Sequence, residues 1–243
     1  MRHLSAAIEP SASAAARRRP RVGLVVPRSN STCEGELQDF AAGRFSVHTA
    51  RMKTVAGSLA SDPEAVALQS LAEPAEDLRL CQVDIVALGC TTAAMACDQS
   101  KLEDVLGADS TARVVLISQA IVRAITRRGA RRVALFTPYT ETSNNSIAAF
   151  LKAYGLEVTT ALGLGLNTSP DRFAIVSDLS RCYLLGAIGS MDIGDADCIL
   201  VSCTDLHTLD ILNEIAAQKG VPAISSNQAL FEDIEREAGM MKA

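Results

Sequence analysis

The sequence predicts an α/β protein made of two similar halves, each with its own parallel β-sheet. Two matching phrases predict it: DIVALGCTT at residues 84–92 and DCILVSCTD at residues 197–205. Each is a short, continuous apolar run closed by small polar residues, which is typical of a buried parallel strand. Each strand therefore delivers a cysteine, Cys90 or Cys203, to its carboxyl end, the edge at which open α/β sheets bind ligands.

A nearly constant spacing between matching landmarks indicates an internal duplication. The landmarks are Pro27 and Pro138 (111 residues apart), Asp84 and Asp197 (113), Cys90 and Cys203 (113), and Gln119 and Gln228 (109). Such a steady shift is the signature of a repeat. We therefore expect two pseudo-symmetric α/β halves with right-handed crossovers and an active site in the cleft between them.

The first half alternates between strand and helix patterns. RVGLVVPRSN gives a strand at 22–26, followed by a proline and a polar turn. Ser31 and Thr32 can cap the next helix. Glu34 and Glu36 fall in its first turn, where the helix dipole favours acidic residues. The other elements predicted here are strands at 45–52 and 114–117 and helices at 65–81, from about 91, and at 118–129.

The second half repeats this pattern. RRVALFTPYT, from Arg131, restates RVGLVVPRSN, and VPAISSNQALFEDI, from Val221, restates VVLISQAIVRAI. Between them we expect a helix ending at 154–155, a strand at 156–162 and, after the second phrase, a helix through Ala217. The predicted division is a disordered tail at 1–20, a first half at 21–118 joined by the C-terminal helix at 225–243, and a second half at 119–224.

Composition narrows the class of protein. The chain has 243 residues, is 48% hydrophobic and carries a net charge of −5, so we expect no nucleic-acid partner. No apolar run approaches membrane-spanning length, and no convincing export signal is present. Seven cysteines, an odd number without a CxxC pair, favour free thiols in a reducing cytoplasm. His3, His48 and His207 show no ligand spacing with the cysteines, so no metal is expected.

Cys90 and Cys203 are the candidate catalytic residues. Equivalent strand ends should face each other across the cleft, so both sulfur atoms should reach one small molecule. A thiolate is the nucleophilic form of cysteine, and we expect each cysteine to lie in a strand-to-helix turn that lowers its pKa. The backbone N–H groups of these turns would bind a carboxylate; they belong to Thr91, Thr92, Thr204 and Asp205. Alternatively, a cysteine that ends a strand is a small core residue.

Three further residues are candidates for binding a ligand. Asn30 and Tyr139 fall in the two copies of one loop, each after a strand. Either side chain could hydrogen-bond a ligand carboxylate, and either could instead cap a helix or pack. Asn167 could bind a ligand or initiate a turn. The remaining cysteines, which have no repeat partner, are expected to be structural: Cys33, Cys81, Cys97, Cys182 and Cys198.

Three segments resemble the Asp/Glu racemase superfamily, and within it most closely the maleate cis-trans isomerases. They read VGLVVPRSNSTCEGE, LGCTTA and SCTDLHTLDILNEIAAQKGVPAISSNQALFED, and the likeness runs from about Arg21 to the end. The resemblance implies that Cys90 attacks an alkene carbon of maleate to give a succinyl-like adduct. The adduct rotates about its C–C bond and eliminates fumarate, with Cys203 as acid and base.

The same resemblance implies that Asn30, Tyr139 and Asn167 hold the substrate carboxylates and that no cofactor is needed. Two departures concern the substrate. The first motif reads Cys-Thr-Thr-Ala where these isomerases usually have Cys-Thr-Ser-Gly, and Arg28 stands where a small residue is usual. Related arylmalonate decarboxylases keep only the second cysteine.

Two other functions remain open at this point. A racemase of aspartate, glutamate, a hydantoin or a related acid would use the same two thiols for proton exchange. A non-catalytic ligand-binding module could retain the bilobal fold. We also expect a small dicarboxylate substrate and a homodimer or higher homo-oligomer.

Overall fold

The computed structural model describes residues 18–53, 62–166 and 172–240, which form two four-stranded parallel sheets with flanking helices. The first sheet has the order β2-β1-β3-β4 and the second β6-β5-β7-β8. The strands are β1 (Arg21–Pro27), β2 (Ser46–Met52), β3 (Ile85–Leu88), β4 (Arg113–Leu116), β5 (Arg132–Thr137), β6 (Glu157–Gly163), β7 (Cys198–Val201) and β8 (Ala223–Ser225).

Ten helices lie within the described ranges. They are α1 (Cys33–Ala41), α2 (Pro63–Leu80), α3 (Thr91–Ala96), α4 (Gln99–Gly107), α5 (Ile117–Arg127), α6 (Glu141–Ala153), α7 (Arg172–Ser177), α8 (Arg181–Ser190), α9 (Leu212–Lys219) and α10 (Ser226–Glu237). In the described chain, no helix is both long enough and apolar enough to cross a bilayer.

The predicted duplication is confirmed by the strand order, because equivalent strands occupy equivalent positions in both sheets. In each half, an aspartate accepts a backbone N–H group at the start of the central pair of strands. Asp84 accepts the N–H of Arg21 at 2.7 Å, and Asp197 accepts that of Arg132 at 2.8 Å. Each aspartate thus joins the amino ends of two neighbouring strands. The neighbouring Arg132 guanidinium and the backbone N–H groups of Arg132 and Arg131 hold the pKa of Asp197 well below its usual range.

The structure adds detail to two predicted helices. The helix expected from about residue 91 ends at Ala96, and a separate helix begins at Gln99, because the Asp98 side chain caps the N–H groups of Ser100 and Lys101. The helix expected after the second phrase and through Ala217 begins at Leu212 and ends at Lys219. Residues 204–211 are instead an irregular loop, so the two cysteine turns differ.

The C-terminal helix α10 packs mainly on α5. It also contacts α1, β3 and β4 of the first half and β8 of the second sheet. Asp233 of α10 accepts hydrogen bonds from Arg123 and Arg127 of α5, and the rings of Phe231 and Phe40 lie 5.4 Å apart. Helix α5 itself contacts both β4 and β8. The predicted division between residues 118 and 119 therefore stays a prediction.

Of the tail predicted at 1–20, residues 1–17 lie outside the described ranges, and Arg18 is bonded to Asp84.

Candidate active site

Cys90 immediately precedes helix α3, at the carboxyl end of β3. Its side chain is buried, and the backbone N–H groups of Thr92 and Ala93 act to lower the pKa of its thiol against that burial. The Thr92 hydroxyl lies 3.8 Å from the same sulfur. There is little room at the residue before it, because a Cβ at Gly89 would lie 3.3 Å from the Cys33 sulfur and would require a small shift of its neighbours. The turn is thus closely packed behind the thiol.

Cys203 follows β7 at the equivalent position, but no helix begins there. Its sulfur is buried and accepts the N–H of Asp205 at 3.4 Å. The hydroxyl of Tyr139, from the loop after β5, donates a second hydrogen bond to this sulfur. Cys203 is therefore held by a side chain from another loop where Cys90 is held by the start of its own helix.

Thr204 joins the two cysteine turns. Its hydroxyl donates to the carbonyl of Gly89 at 3.1 Å, and Gly89 is the residue before Cys90. The residue after Cys203 is thus bonded directly to the residue before Cys90. Burial raises the pKa of Tyr139, and the charges of both cysteines raise it further. The structure therefore places both thiols in one neighbourhood.

Asn30 caps helix α1, which is one of the alternatives left open by the sequence. Its Oδ1 accepts the N–H groups of Thr32 and Cys33 at 3.2 and 2.9 Å, whereas the Thr32 side chain makes no capping bond. Its Nδ2 donates to the Thr204 hydroxyl at 3.1 Å. The buried amide thus links the first half to the Cys203 turn, and binding of a substrate by its second N–H stays a prediction.

The remaining predicted site residues have different environments. Thr91 is buried, and its hydroxyl points to Ser226 at 3.3 Å. Asp205 is buried and accepts the N–H of Ser31 at 2.9 Å. The N–H groups expected to form a carboxylate site are in part bonded to the sulfur atoms, as described for Thr92 and Asp205. Asn167 lies outside the described residues.

The expectation of lowered thiol pKa values is wrong for both cysteines. Burial raises the pKa of Cys90 against the hydrogen bonds that its sulfur accepts. Burial raises the pKa of Cys203 to about 12, although the Tyr139 hydroxyl and the Asp205 N–H act in the opposite direction. The loss of solvation of a buried thiolate exceeds the effect of a few donors.

Several residues near the site were not predicted from the sequence. Cys33, expected to be structural, lies close enough to both cysteines for their charges to raise its pKa, although burial is the main cause. Asn227 of α10 donates a hydrogen bond to Glu36 of α1 at 2.6 Å. From the sequence, Glu36 is only an acidic residue in the first turn of a helix, and Asn227 lies in the segment VPAISSNQALFEDI without a predicted role. Neither residue has a local signal for this contact.

A pocket of about 510 Å³ lies elsewhere, near the amino ends of β5 and β7. Arg128 and Arg132 line it, but they are paired with Glu232 and Asp197 respectively. It contains neither thiol, so we do not assign the active site to it. Among the described residues, no group of three or more His, Cys, Asp or Glu could hold a metal ion.

Comparison with known proteins identifies the family of this chain. The profile of the family described as arylmalonate decarboxylase matches residues 22–243. A maleate isomerase from Geobacillus stearothermophilus is 24% identical over 230 residues, which cover 85% of this chain and 86% of that protein. An arylmalonate decarboxylase from Bordetella bronchiseptica is 37% identical over 123 residues, 51% of this chain and 50% of that protein.

Solved structures share the fold. The maleate isomerase Iso from Pseudomonas putida S16 superposes with a TM-score of 0.78 at 24% identity, over 92% of this chain and 94% of that chain. The Nocardia farcinica maleate cis-trans isomerase, a mutant solved with a covalently bound succinylcysteine intermediate, has a TM-score of 0.79 at 22% identity, over 91% and 93%. The predicted fold class and superfamily resemblance are therefore confirmed.

Proposed function

The chain belongs to the arylmalonate decarboxylase family, and within it we propose that this protein converts maleate, or a closely related small cis-dicarboxylate, to the trans isomer through a covalent succinyl-cysteine-like intermediate. One observation carries the proposal. The turns of Cys90 and Cys203 are bonded to each other through Thr204 and Gly89, so that two thiols from equivalent strand ends can act on one molecule. Curated relatives of both kinds, maleate isomerases and an arylmalonate decarboxylase, support a member of this enzyme group.

The proposed reaction begins from a Cys90 thiolate and a Cys203 thiol. The Cys90 sulfur forms a bond to one alkene carbon while the Cys203 proton moves to the other carbon, so the double bond becomes a single bond. Rotation about that single bond is then free. The Cys203 thiolate removes a proton from the same carbon, the S–C bond breaks, and the trans alkene leaves with both cysteines restored.

The environments of the two sulfur atoms support this division of roles. A pKa of about 12 keeps Cys203 protonated at neutral pH, as an acid requires. Burial raises the pKa of Cys90 too, but two backbone N–H groups and the Thr92 hydroxyl oppose that shift, so its sulfur has donors for a thiolate. In this proposal, Asn30, Tyr139 and Asn167 bind the substrate carboxylates, together with the turn N–H groups of Thr91, Thr92, Thr204 and Asp205.

A racemase is the second candidate. It is favoured by the raised pKa of both thiols, because proton exchange at a stereocentre needs a protonated cysteine on one face. The racemase would use the same residues without forming an S–C bond. Decarboxylation of an arylmalonate is a third reaction to be tested, because the family is described as arylmalonate decarboxylase.

The test offers each class of substrate to the wild-type protein. With maleate, proton NMR should show the alkene signal of maleate replaced by that of fumarate. In D₂O, aspartate and glutamate should gain no deuterium at the α-carbon, and an arylmalonate should release no CO₂. Deuterium incorporation without maleate turnover would show that the protein is a racemase and not an isomerase. Release of CO₂ would show that it is a decarboxylase. Binding of maleate without any reaction would favour a ligand-binding module.

A cytoplasmic location and a homo-oligomeric state are part of the same proposal. All seven cysteines are free thiols in the structure, which supports a reducing compartment. Fractionation of the source cells and light scattering of the purified protein would test both statements.

A further inference from the structure

We propose that Glu36 and Asn227 form a positioning pair that fixes the turn of Cys203, and through it the turn of Cys90. This inference rests on the proposed two-thiol function. Neither residue touches the sulfur atoms, so neither is assigned a catalytic role. Their contacts lead from helix α1 of the first half to the loop after β7.

Glu36 gives the irregular loop after Cys203 its acceptors. Its Oε1 accepts the N–H of Thr208 at 2.9 Å and that of Leu209 at 3.3 Å. Residues 204–211 form no helix, so these buried or partly buried N–H groups lack partners in their own segment. A carboxylate from the opposite half thus replaces the helical hydrogen bonds that the Cys90 turn has in α3.

Asn227 connects this carboxylate to the residue after Cys203. Its Nδ2 donates to Glu36 Oε2 at 2.6 Å and to the carbonyl of Thr204 at 3.2 Å. Asn227 is completely buried. Its Oδ1 has no hydrogen-bond partner among the described residues, so the orientation of the amide is determined by these two acceptors alone.

Thr204 carries the connection to the other thiol. The carbonyl of Thr204 is held by Asn227, while its hydroxyl bonds to the Gly89 carbonyl and to Asn30 Nδ2. A shift of this residue would therefore move Cys203 and the support of Cys90 together. A displacement of about 1 Å in a reacting group is enough to reduce a rate by about a hundredfold.

The three donors around Glu36 require a group that only accepts hydrogen bonds. Burial raises the pKa of Glu36, and its hydrogen bonds and the nearby His207 oppose that shift. In Glu36→Gln, Oε1 could still accept two N–H groups, but the glutamine NH₂ group would face Asn227 Nδ2, so that two donors would meet. If the Asn227 amide rotated, its unpartnered Oδ1 could accept from the glutamine NH₂ group. Oδ1 would then also face the Thr204 carbonyl, which would lose its donor. The substitution therefore conserves shape and removes the support of Thr204.

The experiment compares Glu36→Gln, Asn227→Ala and the double variant, with Asp39→Asn as the control. Asp39 is an exposed acid on the same helix, outside the network. Three quantities are measured: kcat and KM with maleate, the unfolding midpoint, and the iodoacetamide labelling of Cys203 relative to Cys90 by peptide mass spectrometry. The labelling ratio needs no substrate, so it tests the positioning even if the proposed reaction is wrong.

We expect each single variant to lose about tenfold in kcat with little change in KM, and the double variant to lose no more than Asn227→Ala. The Cys203-to-Cys90 labelling ratio should rise about threefold or more, because a loosened turn exposes Cys203 more often. Additive losses in the double variant would overturn the proposal. So would a labelling ratio in Glu36→Gln that equals that of Asp39→Asn, and this comparison remains decisive if Asn227→Ala does not fold. Failure of the wild type to convert maleate would overturn the proposed function alone.

Discussion

The turn after β3 and the turn after β7 begin alike and end differently. Both follow a four-residue buried strand with a small residue and a cysteine. The first then enters helix α3, whose N–H groups meet the Cys90 sulfur, whereas the second enters a loop held by Glu36, Asn30 and Tyr139 from elsewhere. One turn is stabilised locally and the other by distant residues. Equal positions after duplication thus came to have unequal surroundings, which suits two different roles on one substrate.

Replacing each thiol separately should give the largest effect and the clearest distinction. We expect Cys90→Ala and Cys203→Ala each to reduce maleate turnover by at least about a thousandfold, because the nucleophile and its proton partner act as a unit. Only Cys203→Ala should accumulate an adduct, with water supplying the proton that Cys203 no longer gives and no thiolate to remove it again; intact mass would show the protein plus one maleate. Exposed Cys81 supplies the control variant Cys81→Ala, which should behave as wild type. An adduct in Cys90→Ala would reverse the assigned roles.

Removing the Tyr139 hydroxyl should affect one thiol only. The hydroxyl lowers the pKa of Cys203 through its hydrogen bond, so Tyr139→Phe should raise that pKa further and slow turnover by about ten- to a hundredfold. The pH dependence of iodoacetamide labelling should move upward for Cys203 and stay unchanged for Cys90. Tyr183→Phe, at an exposed tyrosine, is the control. Equal shifts at both cysteines would contradict the separate environments described above.

Asn30→Ala should weaken the link between the halves. The substitution removes the cap of α1 and the bond to Thr204, so we expect a loss of about 1–2 kcal/mol in the free energy of unfolding, measured with urea. Ser31→Ala is the matched control, because only the backbone N–H of Ser31 takes part in the network. A variant as stable as Ser31→Ala would show that the cap contributes nothing.

Asp205 should give the smallest effect, and one that depends on pH. Burial raises its pKa, so its contribution to stability is fully present below the ordinary pKa of aspartate and is lost as the pH rises through the raised value. Asp205→Asn avoids that loss and keeps an oxygen for the Ser31 N–H. We expect the variant to unfold at a higher temperature than wild type at about pH 8 and at the same temperature near about pH 4.

The same variant should also label faster at Cys203, because the Asp205 charge raises the pKa of that thiol. Asp39→Asn, at an exposed acid, should show neither change. A difference in melting temperature that stays constant with pH would mean that Asp205 does not titrate in the expected direction.

The local parts of this comparison could be predicted from the sequence, and the distant parts could not. Apolar runs and small residues are enough to recognise the buried strands, the matching phrases and the offset of 113 residues between the cysteines. The break between α3 and α4 was missed although Asp98 followed by Ser100 is a readable cap signal. The loop after Cys203, at residues 204–211, contains no glycine or proline from which a loop could be predicted. Its form depends on Glu36, which lies 172 residues from Thr208, and no local pattern encodes such a partner.

The raised pKa values were missed for a related reason. The sequence shows that a helix follows Cys90, and a helix start lowers the pKa of a thiol. It does not show how completely two layers of neighbouring elements exclude water from both sulfur atoms. Solvation is a property of the assembled halves, and here it outweighs the local donors.

The placement of α10 has a consequence for synthesis on the ribosome. Helix α10 contacts β3, β4 and α1, and Arg127 and Arg128 of α5 are paired with Glu232 of that helix. The first sheet therefore leaves the exit tunnel long before the segment that packs on it. Until residues 226–237 have been synthesised, the elements of the first half that lie against α10 lack the helix that buries them.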